Sequence, residues 1–184
     1  MLEPFSLPEI IEGTNVILYK RDHNYDNEMW LAIDSNREFL RSYLMWVDKT
    51  DCFDSVTNAT KHFNLAWASQ AKFAYVIADK CSKKLLGSID IHNIDLDNHS
   101  AEIGYWLKKD KTGYGYVSDA LKQLEKYAFA SKINRLIISC DSRNRASANV
   151  AIRNGYKFEN TNRKAIFAYG DFYDREIYAK LINE

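Results

Sequence analysis

The sequence predicts a mixed α/β or α+β fold in one domain. Three observations carry this. Runs of β-branched and aromatic residues alternate with stretches of helical period. Three such runs follow one another mid-chain, joined by short polar turns. No linker, internal repeat or low-complexity stretch divides the 184 residues, a length that suits one domain spanning 1–184.

The elements follow in order. Residues 1–13 hold both prolines and read as an irregular arm. "TNVILYK" (14–20) is a β-branched run, a strand. Between Tyr25 and Leu44 the apolar residues fall at helical spacing in two pieces, with a break near Ser35 and Asn36. "YLMWVDKTDCFDS" (43–55) is an aromatic and acidic loop. Val56, Ala59, Phe63, Ala66 and Trp67 then form one helical face, with Asp54 or Ser55 as its cap. "KFAYVIAD" (72–79), "KLLGSIDIHNI" (84–94) and "HSAEIGYWLKK" (99–109) are three strands whose short connections predict an antiparallel meander. Val117, Ala120, Leu121, Leu124, Tyr127 and Ala128 mark one face of a long helix. "RLIISCD" (135–141) is a strand, "NRASANVAIRNGYKF" (144–158) a short helix ending at Gly155, and two strands around Gly170–Asp171 close the chain.

Composition removes several function classes. Hydrophobic residues make up 46%, and 25 basic side chains balance 25 acidic ones. That argues against a protein held on nucleic acid by bulk charge. Cys52, Cys81 and Cys140 are scattered, without a C-x-x-C pair, and read as reduced thiols of a cytoplasmic protein. No run of eighteen apolar residues and no basic-then-apolar N-terminus is present, so neither a membrane span nor a signal peptide is expected. His23, His62, His92 and His99 do not stand at ligand spacing, and no metal is expected.

The informative stretch is "DKTGYGYVSDALKQL" (110–124), where Gly113 and Gly115 lie between a strand and a helix. It reads either as a turn or as a cradle for a phosphate, because a helix N-terminus presents free N–H groups and partial positive charge. Two nucleotide motifs fail. The P-loop needs Gly-Lys-Ser/Thr, whereas Tyr116, Val117 and Ser118 follow Gly115. The dinucleotide fingerprint needs a third glycine where Ser118 stands.

"AEIGYWLKKDKTGYGYVSDAL" (101–121) resembles the core of the GNAT superfamily of acetyl-CoA-dependent N-acetyltransferases, and within it the RimJ/RimL-like ribosomal-protein branch. The family loop reads Gln/Arg-x-x-Gly-x-Gly/Ala. Thr112 takes the Gln/Arg place, Gly113 and Tyr114 the free positions, Gly115 the obligatory glycine and Val117 the Gly/Ala place. "NRASANVAIRNGYKF" and "FLRSYLMW" (39–46) resemble two further family stretches, so the likeness runs over roughly residues 14–182. It implies a mostly antiparallel sheet of about six to seven strands, flanked by about four helices and splayed between the fourth and fifth strands.

The resemblance also implies roles. Glu102 would be the general base and Ser147 the group facing the leaving sulfur. Thr112, Gly113, Tyr114, Gly115, Tyr116, Val117 and Ser118 would hold the pyrophosphate of acetyl-CoA. Asn144 and the backbones of Trp106 and Leu107 would hold its pantetheine arm. Tyr43, Trp46, His92 and Asn93 would face the acceptor. Thr112 lacks the long polar side chain of the family and Val117 is bulkier than Gly or Ala, which implies weaker cofactor contact. Other branches place a Tyr at the leaving sulfur, and no Tyr lies between Ser147 and Tyr156. Period two puts Glu102, Gly104 and Trp106 on one face, although a family bulge would break that parity.

Each of these residues also has a plain structural role open to it: a salt-bridged strand carboxylate for Glu102, an N-cap for Asn144, a core or dimer contact for Tyr43 and Trp46. The acidic residues Asp48, Asp51 and Asp54 suggest attraction for a cationic acceptor, or simply a solvated loop. Three functions stay open: acetylation of a protein N-terminus such as that of a ribosomal protein, acetylation of a small amine (a polyamine or aminoglycoside-like compound), and a non-catalytic acetyl-CoA-binding module. Family habit admits a homodimer.

Overall fold

A computed structural model describes residues 5–184. The part of the N-terminal arm that contains Pro4 lies outside the described residues. Eight strands form one sheet: β1 (Ile10–Glu12), β2 (Val16–Lys20), β3 (Phe73–Asp79), β4 (Leu85–Asp95), β5 (Ser100–Leu107), β6 (Arg135–Asp141), β7 (Lys157–Ala168) and β8 (Asp171–Leu181). Five α-helices flank them: α1 (Asp26–Ser35), α2 (Arg37–Arg41), α3 (Phe53–Ala68), α4 (Tyr116–Ala130) and α5 (Arg145–Arg153). The order across the sheet is β1-β2-β3-β4-β5-β6-β8-β7.

The predicted meander is β3-β4-β5, antiparallel throughout. The parallel neighbours are β5 and β6, and they pair only from Ser100 to Glu102 against Arg135 to Ile137. Beyond Glu102 the two strands separate. This is the expected splay, between the fifth and sixth strands once β1 is counted.

Two expectations change. The arm is not irregular throughout: Ile10–Glu12 pairs with β2, Phe5 and Leu7 are buried, and the Phe5 ring meets Phe73 edge-on at 5.2 Å. An unpaired edge of β2 supplies the pairing that three residues could not sustain alone. The helix after the acidic loop starts earlier, at Phe53, with Cys52 before it, so Asp54 and Ser55 lie inside the first turn.

The sheet buries both faces. On one, the α4 stripe of Val117, Ala120, Leu121, Leu124 and Ala128 packs with Leu18, Ile89, Ile103, Leu136 and Ile138. Full burial of a Leu or Ile contributes about 1.5–3 kcal/mol. On the other, Met29, Ile33, Leu40, Val47 and Val56 of α1–α3 and their connection cover Val76 and Leu85. The start of α4 is tied down by Asp119, whose carboxylate accepts from the backbone N–H groups of Thr14 (3.1 Å), Asn15 (2.6 Å) and Val16 (3.2 Å).

Candidate functional site

The site lies where β5 and β6 part. A cavity of about 410 Å³ opens there, within the size range of ligand pockets. Its walls come from both faces of the sheet: Phe39, Tyr43 and Leu44 on one side, Asn144, Ser147 and Arg153 of the α5 region on the other. The 112–118 turn closes one end.

That turn is built for an anion. Gly113 has φ +86° and Gly115 φ +80°, left-handed values that an L side chain adopts only at a cost. A Cβ at either position would meet nothing within 4 Å, so the need is conformational and the space above the turn is open. Gly115 precedes α4, and no side chain among the described residues caps the helix. The first N–H groups of α4 therefore face the cavity end without a side-chain partner, which suits a pyrophosphate.

The two departures from the family loop have local explanations. The Thr112 hydroxyl donates to the Lys109 carbonyl at 2.8 Å and so closes its own turn. Val117 is buried in the core with Ala120 and Leu121, so its branched side chain serves packing as well as the cavity wall. Tyr116 and Ser118 line the cavity, and Ser118 Oγ accepts from Asn154. Tyr114 stands 69% exposed and is absent from the cavity wall.

Further along, Lys108 N–H donates to the Leu86 carbonyl at 2.9 Å. The alternation of an antiparallel ladder then turns the backbone groups of Tyr105 and Leu107 into the opening and those of Trp106 toward β4. The Trp106 carbonyl indeed faces Gly87 of β4. Leu107 thus presents its backbone to the cavity, whereas Trp106 contributes its side chain.

Asn144 is the N-cap of α5, accepting from Ser147 N–H at 3.1 Å, and it also lines the cavity. Ser147 does not bond back to its own helix. Its hydroxyl lies 3.0 Å from the Tyr105 hydroxyl, which reaches across from β5. Burial pushes the Tyr105 phenol above its ordinary pKa, with the Ser147 hydrogen bond opposing, so it stays protonated. Sequence reasoning does not reach Tyr105, because the tyrosine expected at the leaving sulfur belongs on the helix. Its only signal was its place in "EIGYWL", facing opposite to Glu102.

Glu102 sits at the fork itself. Ser139 donates to its Oε1, Asn93 Nδ2 donates to its Oε2 at 3.0 Å, and His92 Nε2 lies 3.8 Å from Oε2. Ser139, also unanticipated, lies two residues past the last β5–β6 pair, where the strands have begun to diverge. The bulge implied in β5 is absent between Glu102 and Leu107. The register shift falls on the β4 side, after His92, where Asn93 adopts φ +49°. Parity in β5 therefore holds, and the break lets both His92 and Asn93 reach Glu102. These three residues lie outside the cavity wall proper.

Of the acceptor-side residues, Tyr43 lines the cavity and donates to the Arg143 carbonyl at 3.4 Å. Trp46 is partly exposed, its ring 6.0 Å from that of Trp106. Of the acidic residues in this loop, Asp48 is the one that an arginine neutralises. Asp48 pairs with Arg41 (3.2 Å) and accepts from Tyr169 (2.9 Å), and Asp51 accepts from Ser55 (2.8 Å). Cys140, buried nearby, has its thiol pushed up to about 11, chiefly by burial. Among the described residues no three His, Cys, Asp or Glu side chains are grouped to hold a metal ion, and no helix is long and apolar enough to cross a membrane.

Comparison with known proteins gives concordant results. The family model described as "Acetyltransferase (GNAT) domain" matches residues 17–157. The ribosomal-protein-serine acetyltransferase of Escherichia coli (strain K12) is 29% identical over 184 residues, covering 100% of this chain and 99% of that protein. The structure of RimL, a ribosomal L7/L12 alpha-N-protein acetyltransferase in complex with coenzyme A, superposes with TM-score 0.90 at 26% identity, over 95% of this chain and 99% of that one. The microcin C7 self-immunity acetyltransferase MccE, in complex with acetyl-CoA and AMP, gives TM-score 0.88 at 26% identity, over 98% of each chain.

Proposed function

Because this chain belongs to the acetyltransferase (GNAT) domain family, we propose that it acetylates the N-terminal α-amine of a protein, with a ribosomal protein as the acceptor. It is an acetyl-CoA-dependent N-acetyltransferase, and acetyl-CoA supplies the activated acetyl thioester. The observation that carries the reading is the meeting of the uncapped α4 N-terminus with the gap between β5 and β6. The choice of a protein acceptor is supported by full-length likeness to a ribosomal-protein-serine acetyltransferase.

The residues divide the chemistry. The N–H groups from Gly113 to Ser118 hold the pyrophosphate, and the backbone of Leu107 with Asn144 aligns the pantetheine arm. Glu102 takes a proton from the acceptor amine, directly or through a water. The backbone N–H of Tyr105 stabilises the carbonyl oxygen as it gains charge. The Ser147 hydroxyl, hydrogen-bonded to the protonated Tyr105, donates a hydrogen bond to the departing sulfur as it gains charge, and the sulfur ends with one of the two protons lost from nitrogen. Tyr43 and Trp46 line the approach of the acceptor. The near-equal likeness to a microcin self-immunity acetyltransferase, solved with acetyl-CoA and AMP and not named for a ribosomal acceptor, supports a second reading, a small-molecule amine acceptor. Cytoplasmic location follows from a ribosomal acceptor. A homodimer is supported by the exposed Phe167 and Phe172 of the edge hairpin, whose rings lie 4.9 Å apart, and light scattering tests it.

The test has two stages. Acetyl-CoA at about a hundred times its dissociation constant stabilises by roughly 2.7 kcal/mol, or about 5–10 °C in Tm for a chain of this size, with ATP and NAD as controls. Intact-mass analysis then scores ribosomal proteins against polyamines and aminoglycosides. One acetyl group on a protein N-terminus, lost in Glu102→Gln, supports the reading. Acetylation of small amines alone transfers it to the second. A thermal shift without transfer to any amine leaves a binding module.

A further inference from the structure

We propose that Asp90 orients His92 to take up the proton that Glu102 acquires from the amine and to pass it out to solvent. The inference rests on the reading of Glu102 as the base.

Four observations converge. In the β4–β5 register His92 stands opposite Glu102 and Asp90 opposite Gly104, so the three polar side chains share one face of the sheet. Asp90 Oδ1 lies 2.6 Å from His92 Nδ1, and it also faces the Lys72 ammonium at 3.1 Å and the more distant charge of Arg21. A carboxylate on Nδ1 selects the tautomer with the proton there, leaving Nε2 as the acceptor nitrogen on the Glu102 side. Nε2 is 3.8 Å from Glu102 Oε2, longer than a hydrogen bond but near enough to accept from the carboxyl group once Glu102 has taken a proton. Finally, residue 104 is glycine: a Cβ there would lie 3.3 Å from His92 Cε1 and 3.6 Å from Asp90 Oδ1. The imidazole therefore occupies space that a side chain at 104 would contest.

The stoichiometry needs an exit. An ammonium and a thioester become an amide and a thiol. The N–C bond forms and the C–S bond breaks. Of the two protons lost from nitrogen, one ends on sulfur and the other leaves to solvent. Glu102 is held by Ser139 and Asn93, both of which donate to it and neither of which takes up a proton as an ordinary base. His92 is the neighbour that can. Its side chain is 27% exposed, which gives the proton a way out.

The test pairs kinetics with nitrogen NMR of the ligand-free protein. Long-range proton–nitrogen spectra are expected to show the His92 proton on Nδ1 in the parent and to lose that preference in Asp90→Asn. His92→Ala is expected to lower kcat about 100-fold, the lower end for a positioned proton-transfer group, with an unchanged acetyl-CoA thermal shift. Added imidazole should restore much of the rate, and it should do nothing for Glu102→Gln. His92→Gln serves as the control for packing. Parent-like kcat in His92→Ala, or a loss that imidazole does not repair, overturns the pair while leaving the acetyltransferase reading intact. No transfer by the parent protein to any amine defeats that reading instead.

Discussion

The Tyr105 hydroxyl lies 3.0 Å from the hydroxyl of Ser147, 42 positions later in the chain. The two residues come from opposite walls of the gap, a strand and a helix. The phenol is held protonated by burial, so Ser147 can accept from it while turning its own proton toward the cavity. Tyr105→Phe is expected to reduce kcat on the order of 100-fold with little change in KM for acetyl-CoA. Ser147→Ala should behave alike, and the double variant should be hardly worse than either, since the pair acts as a unit. Steady-state kinetics decide it. A Tyr105→Phe enzyme with normal kcat would remove the phenol from the chemistry.

Gly115 is held at φ +80° with open space around its Cα. Gly115→Ala is expected to cost about 1–2 kcal/mol from backbone strain alone. Gly115→Asn should cost less, because asparagine visits the left-handed region more readily. Both variants should also bind acetyl-CoA more weakly, as the N–H groups of the turn shift. Calorimetry of the free proteins and titration with acetyl-CoA separate the two effects. Equal stability of the Ala and Asn variants would contradict the conformational account.

Asp119 joins the first turn of α4 to the segment before β2 through three backbone N–H donors. Charge-assisted hydrogen bonds of this kind contribute about 1.5–3 kcal/mol. Asp119→Ala should lower Tm by roughly 5–10 °C, and Asp119→Asn by less. Thermal unfolding followed by circular dichroism checks the order. The same loss should loosen the N-terminus of α4 and weaken acetyl-CoA binding in parallel.

Asp141 ends β6 and is buried, while Arg143 donates to both its oxygens at 2.9 and 2.6 Å. Burial raises the Asp141 pKa, the Arg143 bonds lower it, and the lowering wins. A carboxylate with a lowered folded pKa contributes stability above its unfolded value and loses it as pH falls through the folded one. Arg143→Ala should therefore destabilise most near neutral pH, by about 1–2 kcal/mol given the partly exposed guanidinium. The gap from the parent should close as pH drops below the ordinary Asp value, roughly 4. Urea titrations at several pH values measure it, and a pH-independent gap would point instead to lost packing on Tyr173, whose ring centroid lies 3.3 Å from the Arg143 guanidinium carbon.

Much of this protein is written locally. The α4 stripe follows from Val117, Ala120, Leu121, Leu124 and Ala128 recurring at helical period, and the structure buries all five. The turn before it is legible because Gly113 and Gly115 are the residues that tolerate positive φ. The alternation of "EIGYWL" separates Glu102 and Trp106 from Ile103 and Tyr105, and the ladder keeps that separation. Period and turn chemistry depend on neighbours within a few residues, so one chain suffices to reveal them.

The convergence of side chains does not have that property. Ser139 reaches Glu102 because β5 and β6 stop pairing at Ile137, and Tyr105 reaches Ser147 because the same divergence leaves room between strand and helix. Asn93 joins His92 on Glu102 only through a register shift opposite a strand that lies later in the sequence. Three residues at Ile10–Glu12 form a strand because β2 has an edge to offer. Pairing register and strand divergence are set by contacts between segments tens of residues apart, and no local pattern encodes where two such segments meet or part.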